Sequence, residues 1–156
     1  MEAGLVHLHN LLRWLVLLFG LLALITSLRG IGGHRDFTNG DKRTGLYFLI
    51  SMDLQLLVGL ALYFIGPWGF KVIQAAGMSS VMSNAANRFW AVEHPVMMIL
   101  AVILVHIGYA GTKGNRPHRT KFRRLFWCTL LALILILAAV PWPFREGIGR
   151  PWFPGM

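Results

Sequence analysis

The side chains of this chain that could do chemistry are ionisable groups that interrupt long apolar runs. A charged group is costly in hydrocarbon, so such residues generally pair with one another and mark binding sites or proton paths. The candidates are His9 and Arg13 in the first run, Asp53 in the second, and Glu93, His94 and His106 in the third. We expect them to form two polar layers: an outer one with His9, Arg13, Glu93 and His94, and a sparser inner one with Asp53 and His106.

The outer layer has the residue types that a haem site needs. His9 and Arg13 are four residues apart and share one helix face, and Gly20 follows three turns beyond His9 on nearly the same stripe. A haem in a helical bundle takes an imidazole at the iron, a cation for its propionates and a small residue that lets the ring approach the backbone. With His94 as the second axial ligand and Glu93 beside it, the pattern predicts one b-type haem.

Two other interpretations of the outer layer stay open. Arg13 and Glu93, at similar depth, would also form an interhelical ion pair with His94 and His9 hydrogen-bonded around it, without a cofactor. A quinone headgroup is a further candidate ligand for the same layer.

The inner layer consists of Asp53 and His106, which we expect to pair. Their pairing would be a structural hydrogen bond between helices or part of a proton relay. His94 and His106 are twelve residues apart, which puts them about 120° out of register on a helix, so two stacked haems are disfavoured. A zinc site, which needs three or four protein ligands, is disfavoured as well.

Composition identifies the elements that must position these residues. The chain has 156 residues, of which 56% are hydrophobic and 13% charged, whereas a soluble domain has roughly a quarter charged residues. Four segments have the ~20 apolar residues that a membrane-spanning helix requires, and none alternates as a barrel strand would. They are about residues 5–28, 46–65, 89–110 and 122–140. The first has no basic stretch before it, so we expect a retained helix rather than a signal peptide.

The predicted fold is an all-α integral membrane domain, residues 1–156, arranged as a four-helix up-down bundle. In such a bundle the first and third helices are diagonal and start from the same side, so His9 and His94 would face each other across the core. Residues 141–156 are rich in Pro and Trp, cannot form a helix, and are expected to lie along the outer surface or dock on a neighbour.

Basic residues predict the orientation of the bundle. The connections after the first and third helices hold ten Lys and Arg residues, whereas the opposite side holds four: Lys71, Arg88, Arg145 and Arg150. The positive-inside rule places the basic loops in the cytoplasm and both termini outside, in the periplasm of a bacterial inner membrane. The net charge of +9 therefore indicates contact with lipid headgroups rather than with nucleic acid.

Four motifs together resemble a known family. They are the runs His7–Trp14, Gln55–Leu60, Arg88–Pro95 and Pro141–Arg145. The chain resembles, over nearly its whole length, a family of small four-helix membrane proteins from Bacteroidetes and related bacteria that are commonly labelled cytochrome b. The resemblance implies a b-type haem and respiratory electron transfer. Where relatives carry a second-helix His, this chain has Met52-Asp53-Leu54, so a haem ligand from that helix is not implied.

The expected function is that of a cytochrome b-like subunit in respiratory electron transfer, with one haem near the periplasmic side. The alternative is a haem-free accessory subunit of a larger membrane complex, in which Arg13, Glu93 and His94 form a structural network. In both cases we expect other subunits and membrane lipids as partners, and no enzyme activity of the chain by itself.

Overall fold

The structure, a computed structural model, describes residues 2–33 and 35–153, and this part of the chain is helical without strands. His34, in the basic connection after the first helix, and residues 154–156, at the end of the Pro- and Trp-rich segment, lie outside the described residues. The elements are α1 (Glu2–Gly32), α2 (Asn39–Ile65), α3 (Phe70–Ala76), α4 (Met78–Ser83), α5 (Ala85–Arg88), a π-helical turn (Phe89–Glu93), α6 (His94–Ala110) and α7 (His118–Ala139).

Four helical stretches are long and apolar enough to cross a membrane, as predicted. They are Glu2–Gly32, Asn39–Ala76, Ala85–Ala110 and His118–Ala139. All four begin before the predicted spans because the helices extend past the apolar residues into more polar turns. At the start of α2, Thr38 and Asp41 form a capping box: the Asp41 backbone N–H donates to the Thr38 hydroxyl, and the Thr38 N–H donates to the Asp41 carboxylate.

The four long helices run antiparallel to their neighbours, and the connections between successive helices lie at alternate ends of the bundle. Helices α1 and α6 each pack against α2 and α7, so α1 and α6 lie on diagonal corners. The antiparallel course of α1 and α2 is visible in their contacts: His9 lies by Gly59, and Gly20 lies by Phe48. The C-terminal segment is the part of the chain after α7, described as residues 140–153. We call the end of the bundle with Glu2, residues 66–88 and the C-terminal segment the terminal end. The opposite end, with residues 35–38 and 111–117, is the loop end.

Small residues allow the helices to approach closely. A side chain at Gly20 would lie 2.8 Å from Leu133 and 2.9 Å from Phe48, a Cβ at Gly108 would lie 2.8 Å from Cys128, and one at Gly30 would meet the Phe122 ring. In a bilayer such packing replaces the hydrophobic drive between helices. The space at Gly20 is thus filled by α2 and α7, so its predicted role beside a haem ring is not what the structure shows.

The core of the bundle contains mostly small and medium apolar side chains. Val16 and Ala23 of α1, Ala101 and Val105 of α6, and Ala132 of α7 are almost fully buried. A few large side chains are buried among them, such as Phe48 and Ile136, whereas many leucines and isoleucines of all four helices are exposed on the outside, for example Leu57 and Ile134. An apolar outer surface of this kind is suited to surrounding hydrocarbon.

Two glycines of α1, one closely packed and one with open space beside it, provide a test of the close packing. Gly30→Ala forces a methyl group against the Phe122 ring, which is fully buried, and we expect a loss of about 1–3 kcal/mol in the free energy of unfolding. Gly32, on the same helix, has open space at its Cβ position, so Gly32→Ala is the matched control and should leave stability unchanged or slightly higher. Unfolding in mild detergent measures both, and equal effects of the two changes would refute the packing argument.

Candidate functional site

Two histidines meet inside the terminal end of the bundle. His9 from α1 and His94 from α6 have ring centroids 6.3 Å apart and an angle of 68° between the ring planes. They belong to diagonal helices and reach across the core, which is the arrangement that the sequence predicted for these two residues. The pair is therefore the centre of the candidate site.

A local distortion of the third span positions His94. Pro95 has no N–H to donate and its ring would collide with the Ala91 carbonyl in a regular helix. The chain widens instead into the π-helical turn, with the His94 N–H bonded to the Phe89 carbonyl. The Ala91 carbonyl accepts a hydrogen bond of 3.2 Å from the Tyr63 hydroxyl of α2. Such π turns are common at functional sites.

The ring of His94 is held in one orientation by the end of α7. Its Nδ1 lies 2.9 Å from the Ala139 carbonyl oxygen. Because a carbonyl only accepts, Nδ1 carries the proton in this contact and Nε2 of the neutral ring has a free lone pair. A ligating histidine is usually oriented in this way by a backbone carbonyl.

Three buried polar atoms around the pair have no hydrogen-bond partner within the described residues. They are Nδ1 of His9, Oε1 of Gln55 and Nε of Arg13. The Gln55 amide nitrogen donates to the His9 carbonyl at 3.0 Å, and Gly59 leaves room for the His9 ring, since a Cβ there would lie 3.1 Å from its Cε1. Buried polar groups are seldom unpaired in native proteins, so this cluster has the capacity to bind an additional group.

Arg13 has a different partner from the one that the sequence predicted. Its guanidinium Nη2 donates to the Trp152 carbonyl at 2.9 Å and more weakly to the Pro151 carbonyl at 3.4 Å. The side chain is only 6% exposed, and it lies beside the rings of Trp14 and Trp142. The sequence predicted that the C-terminal segment lies along the outer surface or docks on a neighbour. In the structure it folds back onto its own bundle.

Aromatic and cationic side chains hold this segment in place. The Trp14 indole N–H donates to the Trp152 carbonyl at 3.1 Å, and Trp14 also stacks on Trp152 and Phe153. Arg145 donates to the last carbonyls of α7, at Ala138 and Val140. Trp68 and Trp90 flank the guanidinium of a further arginine, Arg150, at 5.6 and 5.2 Å from the ring centroids. The abundance of Pro and Trp was the sequence signal for this C-terminal segment, and it did not indicate which residues the segment contacts.

Glu93 is not part of the histidine cluster. Its carboxylate accepts from Arg88 Nε at 2.7 Å, and Arg88 also donates to the Met82 carbonyl at 2.9 Å. The predicted Arg13–Glu93 ion pair is therefore wrong. Arg88, five residues before Glu93, reaches its carboxylate along the same helical stretch. Arg13 instead bonds to the C-terminal segment.

Asp53 and His106 form a separate pair in the structure. Asp53 Oδ1 lies 2.9 Å from His106 Nε2, between α2 and α6, and the two side chains are 40% and 50% exposed. They face the outside of the bundle rather than the core, so they do not connect with His9 and His94.

The fold and the site together define a multi-pass membrane protein, built as an antiparallel bundle with an imidazole pair inside one end. Comparisons with family models, with curated proteins and with solved structures find no match to this chain. Within the described residues, no group of three or more His, Cys, Asp or Glu side chains is placed to hold a metal ion.

The π-helical turn can be tested with Tyr63→Phe. The change leaves the Ala91 carbonyl without its donor, and we expect it to lower the free energy of unfolding by about 1–2 kcal/mol. In a Pro95→Ala background the new N–H at position 95 can bond to that carbonyl, so Tyr63→Phe should cost less than half as much. The cycle is measured by unfolding in detergent, and an equal cost in both backgrounds would disprove this account of the turn.

The partnership of Arg13 with the C-terminal segment predicts strong coupling. Deleting residues 151–156 removes the carbonyl acceptors and strands a buried cation, so the deletion should cost less stability in Arg13→Met than in the wild type, by about 1–3 kcal/mol. Arg88→Met is the matched control, because Arg88 bonds to Glu93 and Met82. Its cycle with the same deletion should be additive, and additivity for Arg13 too would count against the partnership.

Proposed function

We propose that the chain is a cytochrome b-like membrane subunit of electron transfer that holds one haem between His9 and His94. The observation that supports this is the convergence of two imidazoles from diagonal helices at one depth. Bis-histidine ligation within a helical bundle is a common way to hold haem. The distribution of Lys and Arg supports a place near the periplasmic face of a bacterial inner membrane.

The histidine pair fits an iron atom by distance. The ring centroids of His9 and His94 are 6.3 Å apart, so the two imidazoles are close enough that both residues would hold one iron atom. His94 already has its Nδ1 on a backbone carbonyl and its Nε2 free. The unpaired Nδ1 of His9 and Oε1 of Gln55 add polar capacity beside the pair.

Three residues that the sequence predicted beside the haem have other partners in the structure, and the proposal gives them no role in binding it. Arg13 donates to the C-terminal segment, Glu93 accepts from Arg88, and Gly20 contacts Phe48 and Leu133. The group, when bound, supplies one-electron redox chemistry at its iron. The chain's own contribution is to orient the two imidazoles, that of His94 through the contact of its Nδ1 with the Ala139 carbonyl.

A second candidate function is that of a haem-free accessory subunit in a larger membrane complex. The observation that favours it is that much of the cluster is already bonded within the chain: Arg13 to Trp152, and His94 to Ala139. Aromatic side chains of the C-terminal segment also remain exposed, including Phe144 at 74% and Phe153 at 47%. Such a surface would suit contact with a neighbouring subunit.

The reduced-minus-oxidised visible spectrum of the protein purified in mild detergent distinguishes the two functions. Under the haem proposal we expect a sharp alpha band that disappears in His94→Ala and weakens in His9→Ala. His106→Ala is the matched control, since it removes an imidazole from the same helix that lies by Asp53, and its spectrum should match that of the wild type.

A colourless protein that folds and loses stability in both His9→Ala and His94→Ala would contradict the haem proposal and favour the accessory subunit. Organic extraction of the same preparation is included, because a quinone bound by the pair would be recovered there. A stoichiometric quinone without an alpha band would also contradict ligation of haem.

A further inference from the structure

A cavity of about 440 Å³ opens at the loop end of the bundle, far from the histidine pair. It lies between the connection that precedes α2 and the connection that follows α6. Its lining includes Thr38, Asn39 and Lys42 on one side and Thr112, Lys113 and Lys121 on the other. Two loops that are distant in sequence thus build one polar recess at the end of four apolar helices.

The recess carries concentrated positive charge. Its three lysines come from different elements. Lys42 belongs to α2, Lys113 to the connection between α6 and α7, and Lys121 to α7. No acidic side chain is among the lining residues of this cavity. The N-termini of α2 and α7 lie at the same end and add positive potential.

The nearest carboxylate in sequence does not neutralise these lysines. Asp41 is 4% exposed and forms a bidentate ion pair with Arg35, with distances of 2.6 and 2.7 Å from its two oxygens to the guanidinium. It also accepts from the N–H and hydroxyl of Thr38. Its lone pairs are therefore directed into the capping box and toward Arg35.

Aromatic rings keep two of the lysines at the edge of the recess. The Lys113 ammonium lies 5.0 Å from the centroid of Tyr109, and the Lys121 ammonium lies 5.9 Å from that of Phe37. A cation–π contact holds the charge without using its N–H donors. The ammonium groups are consequently positioned and still able to donate hydrogen bonds to an anion.

We propose that this recess binds a phosphate group with net negative charge, of the kind that an anionic phospholipid headgroup carries. Lysine binds phosphate as a point charge through its three N–H donors. Basic pockets between helices at a membrane boundary are typical sites for anionic headgroups. The recess lies where the apolar helices end, so a lipid can place its headgroup there while its chains stay beside the helices.

The expected strength follows from the number of lysines. Each lysine near an anionic headgroup strengthens binding roughly fivefold, so replacing all three should weaken it about a hundredfold. Substitution by glutamine removes the positive charge but leaves a polar side chain, and single changes such as Lys42→Gln should each have a smaller effect in the same direction.

The experiment titrates dioleoyl phosphatidylglycerol into the full-length protein in detergent and measures the bound fraction by native mass spectrometry. Dioleoyl phosphatidylcholine, whose phosphate is compensated by an ammonium, is titrated in parallel. The cavity variant carries Lys42→Gln, Lys113→Gln and Lys121→Gln. The control variant carries Arg29→Gln, Arg43→Gln and Arg119→Gln, which removes equal charge from exposed positions of the same end that do not line the recess.

We expect saturable binding of phosphatidylglycerol at least tenfold tighter than that of phosphatidylcholine. It should weaken about a hundredfold in the cavity variant and less than threefold in the control variant. Equal weakening in the two variants, or equal binding of the two lipids, would overturn the proposal. Circular dichroism verifies folding, and the single lysine variants provide the comparison if the triple variant does not fold.

Sodium phosphate added as a competitor identifies the source of the group. Displacement of phosphatidylglycerol by millimolar inorganic phosphate would support a phosphate site whose ligand is the free ion. Retention of the lipid would support a site that recognises the headgroup together with its chains. Neither result depends on whether the histidine pair holds haem.

Discussion

A guanidinium buried inside a bundle of apolar helices must have hydrogen-bond partners, and in this protein they come from the other end of the chain. Arg13 donates to the carbonyls of Pro151 and Trp152, which lie almost the whole sequence away. Leaving such a charge unpaired would be strongly unfavourable. The path of the C-terminal segment and the stacking of its aromatic rings on Trp14 both follow from this requirement.

The same rule operates at a smaller scale around His94. Pro95 leaves a backbone carbonyl without its helical donor, and the Tyr63 hydroxyl from a neighbouring helix replaces that donor. The turn widens, and the imidazole that follows it is aligned with the end of α7. A proline that breaks the local pattern therefore connects three helices through hydrogen bonds and fixes the ring that faces His9.

The two ends of the bundle differ in their chemistry. The terminal end concentrates tryptophans and imidazoles, and three buried polar atoms there are unpaired within the described residues. The loop end carries most of the basic residues, and three of its lysines converge on one recess. Between the ends, the helix surfaces are covered by leucine and isoleucine, with the Asp53–His106 pair as a polar exception. The two proposed sites therefore lie at opposite ends of the bundle.

The sequence by itself determined the number of spans, their helical character and the depth of His9 and His94, because apolar run length and helical periodicity are local properties. The tertiary structure decided the partners. Arg13 and Glu93 are at similar depth, yet Glu93 bonds to a cation on its own helical stretch and Arg13 to the folded-back segment. Gly20 is on the stripe of His9 but meets side chains of two other helices. The choice of hydrogen-bond partner for each polar group depends on the rotation of the helices and on the path of the C-terminal segment. Neither of these leaves a periodic signal in the sequence.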